Sequence, residues 1–361
     1  MKTCCNSENG IKMDLTLSLE NDRPIDVITV GRAGVDFYAL QEETELEAVE
    51  KFEKRVGGTP ANIAVALARL GSKSAILSKV SKDSFGTFVR HYLSENNVDT
   101  RFVQTDAHGK LNSLAFTEIK KHGCKVLFYR EDPADLNLGI QDISGDIFNQ
   151  CKIMVVSGTA LASSPSREAV LYALDCAARE NTLIISDLDY RESSWSSKEE
   201  ASLYLNLLAE KSQVLVGNDD EFEVLEALYT KNSLEGLRKR LRLGGVLDLI
   251  LFKQGSKGSI AMWGESETLK IPPYPSDLKK PFGAGDAYLA GFIHYYLKTK
   301  NLEVSLHAGS AAAAMVVSRR GCSHSMPSSH DIDRLLEDSR LLHSQTNQVC
   351  RKVISTEMER S

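Results

Sequence analysis

Late in the chain stands Pro281-Phe282-Gly283-Ala284-Gly285-Asp286, followed by an apolar helical run from Ala287. Small residues at 283–285 let backbone N–H groups converge where a helix begins. Free N–H groups at the positive end of a helix dipole suit a phosphate. Asp286 stands where a carboxylate can take a proton from an attacking hydroxyl. Taken alone, the loop reads equally well as a glycine-rich turn whose Asp caps the helix.

Three further clusters accompany it. Gly57-Gly58-Thr59-Pro60-Ala61-Asn62 opens a helix, with Gly34-Val35-Asp36 upstream. The glycines permit close backbone approach, and Asp36 and Asn62 can hydrogen-bond neighbouring hydroxyls; a tight turn before an ordinary helix is the plainer reading. Asn218-Asp219-Asp220-Glu221 follows a strand, where Asn218 and Glu221 can hold Mg²⁺ through water or simply cap a solvated helix. Lys253-Gln254-Gly255-Ser256-Lys257-Gly258 is a turn between two strands. The chain lacks GxxxxGK[ST], which excludes a Walker-type phosphate loop.

The elements that must carry these clusters alternate. Short β-branched or apolar runs at 26–31, 74–80, 152–157, 182–187, 213–217 and 247–253 read as buried strands. Helical patterns occupy 60–70, 84–95, 166–180, 198–210, 220–229, 234–243, 284–298 and 303–319. The clearest is 60–70, with Thr59 as N-cap, Pro60 at the first position and Gly71 as the stop. Such alternation predicts an α/β fold: a mainly parallel sheet flanked by helices on both faces. Two regions break the rhythm. Residues 35–56 carry no clear helix signature, and 113–120 with 125–131 flank a polar turn as a β-hairpin, Leu114/Phe116 and Val126/Phe128 repeating at period two. We read both as one small sheet covering a site at the strand ends. One large domain, 23–344, is expected, with lid segments 35–56 and 113–131, a flexible extension at 1–22 and a polar tail at 345–361.

Composition excludes several classes. The chain has 361 residues, 42% hydrophobic and 25% charged, with formal net charge −6. That charge argues against a nucleic-acid-coating role, so an anionic substrate needs local basic groups. Seven scattered cysteines without a Cys-x-x-Cys pair fit reduced thiols rather than a disulfide framework or zinc site. The longest apolar run, 311–317, is far below membrane-spanning length, and a cytoplasmic protein is expected.

In their order and spacing, GGTPAN, NDDE, KQGSKG and GAGD resemble the motif set of ribokinase-like (PfkB) carbohydrate kinases, over about 26–335. The resemblance implies a large α/β domain with a small β-sheet lid and in-line transfer of the γ-phosphoryl of ATP to a hydroxyl. It gives Asp286 the base role, the backbone of Gly283, Ala284 and Gly285 the anion hole, and Asn218 and Glu221 the water-mediated Mg²⁺ positions. Lys253, Gly255 and Gly258, with Asn218, would approach ATP, and Asp36, Gly57, Gly58 and Asn62 the acceptor. Residues 31–36, 128–131, 157–160, 164–167 and 187–191, with Trp195, resemble more closely the 5-dehydro-2-deoxygluconokinase branch of inositol catabolism, which phosphorylates the C6 hydroxyl of a keto-deoxy sugar acid. A carboxylate is best held by guanidinium, and Arg130 and Arg191, with Arg32 as a third candidate, are the groups for it. Other acceptors of the family remain open (2-keto-3-deoxygluconate, fructose, a nucleoside), as does a catalytically silent sugar-binding protein. Relatives often dimerise through the lid sheet, which implies the same pairing here.

One departure stands out. Where relatives carry Asp-Thr-x before GAGD, this chain has Lys280-Pro281-Phe282. In many relatives the missing Asp helps bind an activating monovalent cation, and a lysine, having donors only, cannot. The Lys280 ammonium is expected to replace that cation. Turnover should therefore be equal in potassium and tetramethylammonium buffers; strong potassium activation would reject the substitution.

Overall fold

The structure is a computed structural model that describes residues 17–20, 22–120, 124–229, 234–243, 246–278, 282–319 and 322–338. The chain opens with β1 (Ile25–Val30), β2 (Gly34–Glu42), β3 (Phe52–Gly57) and α1 (Thr59–Leu70). It continues through β4 (Ser74–Val80), α2 (Ser84–Glu95), β5 (Val103–Thr105), β6 (Leu114–Ile119) and β7 (Val126–Tyr129). Next come β8 (Cys151–Ser157), α3 (Ser166–Arg179), β9 (Leu183–Asp187), α4 (Lys198–Glu210), β10 (Val214–Asn218), α5 (Asp219–Leu225) and α6 (Leu234–Leu243). The last elements are β11 (Leu249–Lys253), β12 (Ser259–Trp263), β13 (Glu267–Ile271), α7 (Ala284–Thr299) and α8 (Leu302–Val317).

Nine strands form one sheet in the order β13-β12-β11-β10-β9-β8-β1-β4-β5. Its pairs are parallel from β11 to β5, while β12 and β13 add on antiparallel. The strands are buried on both faces, as the continuous apolar runs require. In β1 and β8, Ile28, Val30, Met154 and Val156 pack toward α3 and α4. Their alternates Val27, Ile153 and Val155 pack toward α1, α7 and α8. A parallel sheet brings all its C-terminal strand ends to one edge, where open α/β sheets bind ligands.

The segments 35–56 and 113–131 do form one sheet, ordered β3-β2-β6-β7, with β2 and β6 parallel and the outer pairs antiparallel. The period-two repeats of Leu114/Phe116 and Val126/Phe128 hold, and the register decides which face each pair takes. Leu114 lies opposite Tyr129 and Phe116 opposite Leu127, so the exposed Leu127 and Tyr129, rather than Val126 and Phe128, share the outer face with them. Phe37 stacks on Phe116 there, with centroids 4.8 Å apart. Val126 and Phe128 turn inward with Ala115 and Thr117 and line a cavity.

Two local expectations also change. The N-cap of α1 is Gly58, not Thr59, because φ of +105° turns the chain at that glycine. Leu17, expected in a loose extension, is buried, and its N–H donates to Tyr296 Oη at 2.8 Å. The tail at 345–361 lies outside the described residues. No helix among the described residues is long and apolar enough to cross a membrane.

Candidate active site

Ser157, Asp187, Asn218 and Lys253 end four neighbouring strands, β8 to β11, at one edge of the large sheet. A cavity of about 410 Å³ lies there, closed on the other side by the inner face of the small sheet. It brings together Asp286, Gly283, Ala284 and Gly285 with Asp36, Gly58 and Asn62. Arg32, Arg130 and Arg191 line the same space, as do Asn218, Glu221, Lys253 and Gly255. Gly57 does not line it. Its place beneath Asp36 leaves no room for a Cβ, which would run into that carboxylate. Gly258 lines a second cavity instead, about 430 Å³ and mostly apolar, between the 255–258 turn, α7 and α8. Lys253, Gly255, Ala284 and Gly285 border both.

Helix α7 begins at Gly283, with φ +80° and no side chain capping it. Asp83, Ser197, Asn218 and Asn301 cap α2, α4, α5 and α8, so their first-turn N–H groups are partly used. Those of α7 stay available to an anion. Asp286 lies within the first turn and is buried, which sets aside the reading of it as a cap. Its Oδ2 accepts from Asn62 Nδ2 at 2.7 Å. Asn62 Oδ1 is buried without a hydrogen-bond partner, leaving an acceptor beside Asp286. Burial, then the charge of Asp189, push the Asp286 carboxyl up to about 7, against the Asn62 hydrogen bond.

Asn218 and Glu221 form a reciprocal capping box: Asn218 Oδ1 accepts from the Glu221 N–H at 2.9 Å, and Glu221 Oε2 from the Asn218 N–H at 2.8 Å. The capping reading therefore holds for this pair, with Asp219 and Asp220 exposed beside it, but Glu221 itself is buried and burial pushes its carboxyl up to about 7. Asp187, Asp189, Glu221 and Asp286 together face Lys253 and Arg191. Four buried carboxylates outnumber the two cations, an excess of negative charge that a hydrated Mg²⁺ would offset through its waters, since that ion keeps waters and needs no dedicated cage. Among the described residues no group of three or more His, Cys, Asp or Glu is placed to hold a metal ion directly.

Each arginine arrives with a carboxylate. Arg32 donates to Asp36 Oδ1 at 3.1 Å and to Ser113 Oγ at 2.7 Å. Arg130 donates to the buried Asp135 at 2.8 Å and reaches Ser194 Oγ at 3.4 Å, linking the end of β7 to the large domain. Arg191 pairs with Asp189 at 2.9 Å, and its side chain is 54% exposed, the most open of the three. Lys280 lies outside the described residues.

Asp187 and Asp189 belong to the site although neither was singled out as a site residue from the sequence. Asp189 takes φ +38°, a strained value for a non-glycine residue. It accepts from Ser157 Oγ at 2.7 Å and Thr159 Oγ1 at 3.3 Å. Burial opposes its charge, but Arg191 and the hydroxyls of Ser157 and Thr59 hold its carboxyl below the usual range. Two carboxylates closing a buried strand were the available signal. Cys322, beside Gly283 and within 3.1 Å of Tyr38 Oη, gave none, because only folding brings it there.

Residues 25–329 match the family model described as pfkB family carbohydrate kinase. The chain belongs to this family. It is an ATP-dependent carbohydrate kinase. A 5-dehydro-2-deoxygluconokinase of Geobacillus kaustophilus is 40% identical over 325 residues, covering 90% of this chain and 97% of that one. A sugar kinase of Pyrococcus horikoshii of known structure is 30% identical, with a TM-score of 0.72 over 86% of this chain and 96% of that one. Xylella fastidiosa fructokinase, solved with bound ATP, shares the fold at 20% identity, with a TM-score of 0.78 over 87% of this chain and 99% of that one.

The raised Asp286 carboxyl in this pfkB kinase has a cost with a definite sign. A folded pKa near 7 against 3.8 for the free group favours the folded state at low pH, and the contribution is lost as pH rises through about 7. Ligand-free Asp286→Asn should therefore melt higher than wild type near pH 8, with the gap narrowing toward about pH 5. Melting curves at both pH values check this, and a gap independent of pH contradicts it.

Proposed function

We propose that the enzyme transfers the γ-phosphoryl of ATP to the C6 hydroxyl of 5-dehydro-2-deoxy-D-gluconate, with Asp286 as general base. The observation that carries this reading is the buried Asp286, held by Asn62 at the first turn of an uncapped α7, in a cavity that also presents Arg32, Arg130 and Arg191. A neutral acceptor needs no such set of guanidinium groups, whereas a sugar acid does. The 40% identical relative bears the name of a kinase for that acid.

In this mechanism Asn62 orients the Asp286 carboxylate toward the acceptor hydroxyl, and its unpartnered Oδ1 accepts from a neighbouring hydroxyl. Asp286 takes the proton of the attacking oxygen, while the first-turn N–H groups of Gly283, Ala284 and Gly285 receive the phosphoryl oxygens. Asn218 and Glu221 would hold Mg²⁺ through water; when bound, the ion offsets phosphate charge. Arg191, the most open of the three, holds the acceptor carboxylate, and Arg130 couples that binding to the lid through its reach to Ser194. Closure of the small sheet excludes water and limits hydrolysis of ATP. The apolar outer face of that sheet, with exposed Leu127 and Tyr129, supports pairing of two copies through the lid. Light scattering should give a dimer mass, and a Tyr129→Lys protein a monomer; a wild-type monomer excludes the pairing.

Purified protein with ATP and Mg²⁺ is to be assayed against 5-dehydro-2-deoxygluconate, 2-keto-3-deoxygluconate, fructose, ribose and adenosine. Selective turnover of the first is expected, and preference for a neutral acceptor overturns the arginine assignment. Asp286→Asn should lower kcat by at least ~10²–10⁴ with both substrates still bound, and near-normal turnover removes it from the mechanism. Arg191→Ala should raise KM for the acid by about 10- to 100-fold and leave KM for ATP in place, matching the loss of a charge-assisted hydrogen bond.

A further inference from the structure

Four residues border both cavities, and three of them are Gly255, Ala284 and Gly285. The fourth, Lys253, brings the only charged side chain to the junction among the described residues. It ends β11, and its ammonium lies close over the first turn of α7: an ideal Cβ on Gly285 would stand 3.1 Å from Lys253 Nζ. Glycine at 285 thus leaves the space the ammonium uses. The Asp187 carboxylate accepts from Nζ at 3.1 and 3.4 Å. An ammonium has three donors, and one carboxylate takes at most two of them. At least one donor remains at the junction. Burial opposes the charge, but Asp187 and Glu221 outweigh it and hold the ammonium above its ordinary range, so it is fixed as a cation.

A phosphoryl group moving from a donor in one cavity to a hydroxyl in the other must pass this junction. We propose that Lys253 is a catalytic residue that binds the phosphoryl group in transit, with Asp187 as the positioning residue that aims it. The assignment rests on the phosphotransfer reading above. The bond from phosphorus to the acceptor oxygen forms as its bond to the bridging oxygen of the nucleotide breaks. The nucleoside diphosphate leaves with the electron pair, and the hydroxyl proton goes to Asp286. Lys253 neither gives nor takes a proton; it offsets charge on the non-bridging oxygens, which positioning and electrostatics require in such transfers.

The competing role is plain neutralisation of Asp187, and a pair of variants separates the two. Lys253→Ala should lose ~10²–10³ in kcat, the usual effect of removing one transition-state donor. The double variant Lys253→Ala/Asp187→Asn, which leaves no uncompensated carboxylate at 187 and so guards against misfolding, should stay equally slow. Recovery of near wild-type turnover in the double variant would show that Lys253 only balances Asp187, and would overturn the proposal. Methylammonium or ethylammonium should restore part of the Lys253→Ala rate in a saturable way; absence of rescue by either counts against it. Independently of turnover, calorimetry should show ADP affinity within about twofold of wild type while a non-hydrolysable ATP analogue weakens about tenfold. Equal weakening of both would make Lys253 a prop of the nucleotide cavity and reject the proposal. Asp286→Asn, measured in parallel, should keep the wild-type ratio of analogue to ADP affinity. If that variant instead retains turnover, the base assignment falls while the amine rescue and the affinity ratio still judge Lys253.

Discussion

Like charge crowded at one edge of a parallel sheet is the constraint around which the rest of this molecule is arranged. Asp187 ends β9 and Glu221 follows the end of neighbouring β10, Asp189 hangs from a strained turn, and Asp286 enters on the first turn of α7. None is solvated well enough to ignore the others, and two of them are pushed up to about 7. Buried charges of one sign persist only when paired, hydrogen-bonded or complemented by a ligand. Lys253 meets Asp187, Arg191 meets Asp189, Ser157 and Thr159 donate to Asp189, and Asn62 donates to Asp286. Apart from Arg191, two residues beyond Asp189, each partner comes from a different element than its carboxylate, so the site exists only when β8 to β11, α1 and α7 are all in place.

That dependence explains the division of labour between the two sheets. The nine-stranded sheet fixes positions, since its strands are buried on both faces and a shift of one residue would turn Ile28 and Val30 from one core to the other. The four-stranded sheet covers the cavity. One face carries Ala115, Thr117, Val126 and Phe128 over the cavity, and the other carries Phe37, Phe116, Leu127 and Tyr129 outward. Arg130 stands where these roles meet, on the end of β7, with its guanidinium on Asp135 and within reach of Ser194. Removing one member of a buried pair such as Arg130–Asp135 costs about 3–5 kcal/mol, because the other charge is stranded.

The three arginines look alike in sequence and differ in the fold. Arg32 is spent on Ser113 and Asp36 beneath Phe128, Arg130 is buried in its pair, and Arg191 remains open to the cavity. The guanidinium groups that line the cavity are thus unequal. Arg191 has the accessible fork, whereas Arg32 and Arg130 act as much by shaping the walls as by offering charge.

Much of this was legible in the amino-acid order because it depends on neighbours along the chain. Apolar runs at 26–31, 152–157 and 213–217 could only be strands buried on both sides, and Gly283-Ala284-Gly285-Asp286 ahead of an apolar helix could only put small residues and a carboxylate at a helix start. The interruption of the rhythm at 35–56 and 113–131 marked the small sheet for the same reason. Tertiary structure alone decided which face of β7 meets the cavity, since register is set by pairing with β6 and not by the period of Val126 and Phe128. It alone put Asn62 on Asp286, 224 positions away, and laid Lys253 over Gly285. It also drew Leu17 into the core against Tyr296 and seated Cys322 beside Gly283. Local sequence carries propensity and period, which act over a few residues; the charges that tune this site act through space, between strand ends that only the folded sheet brings side by side.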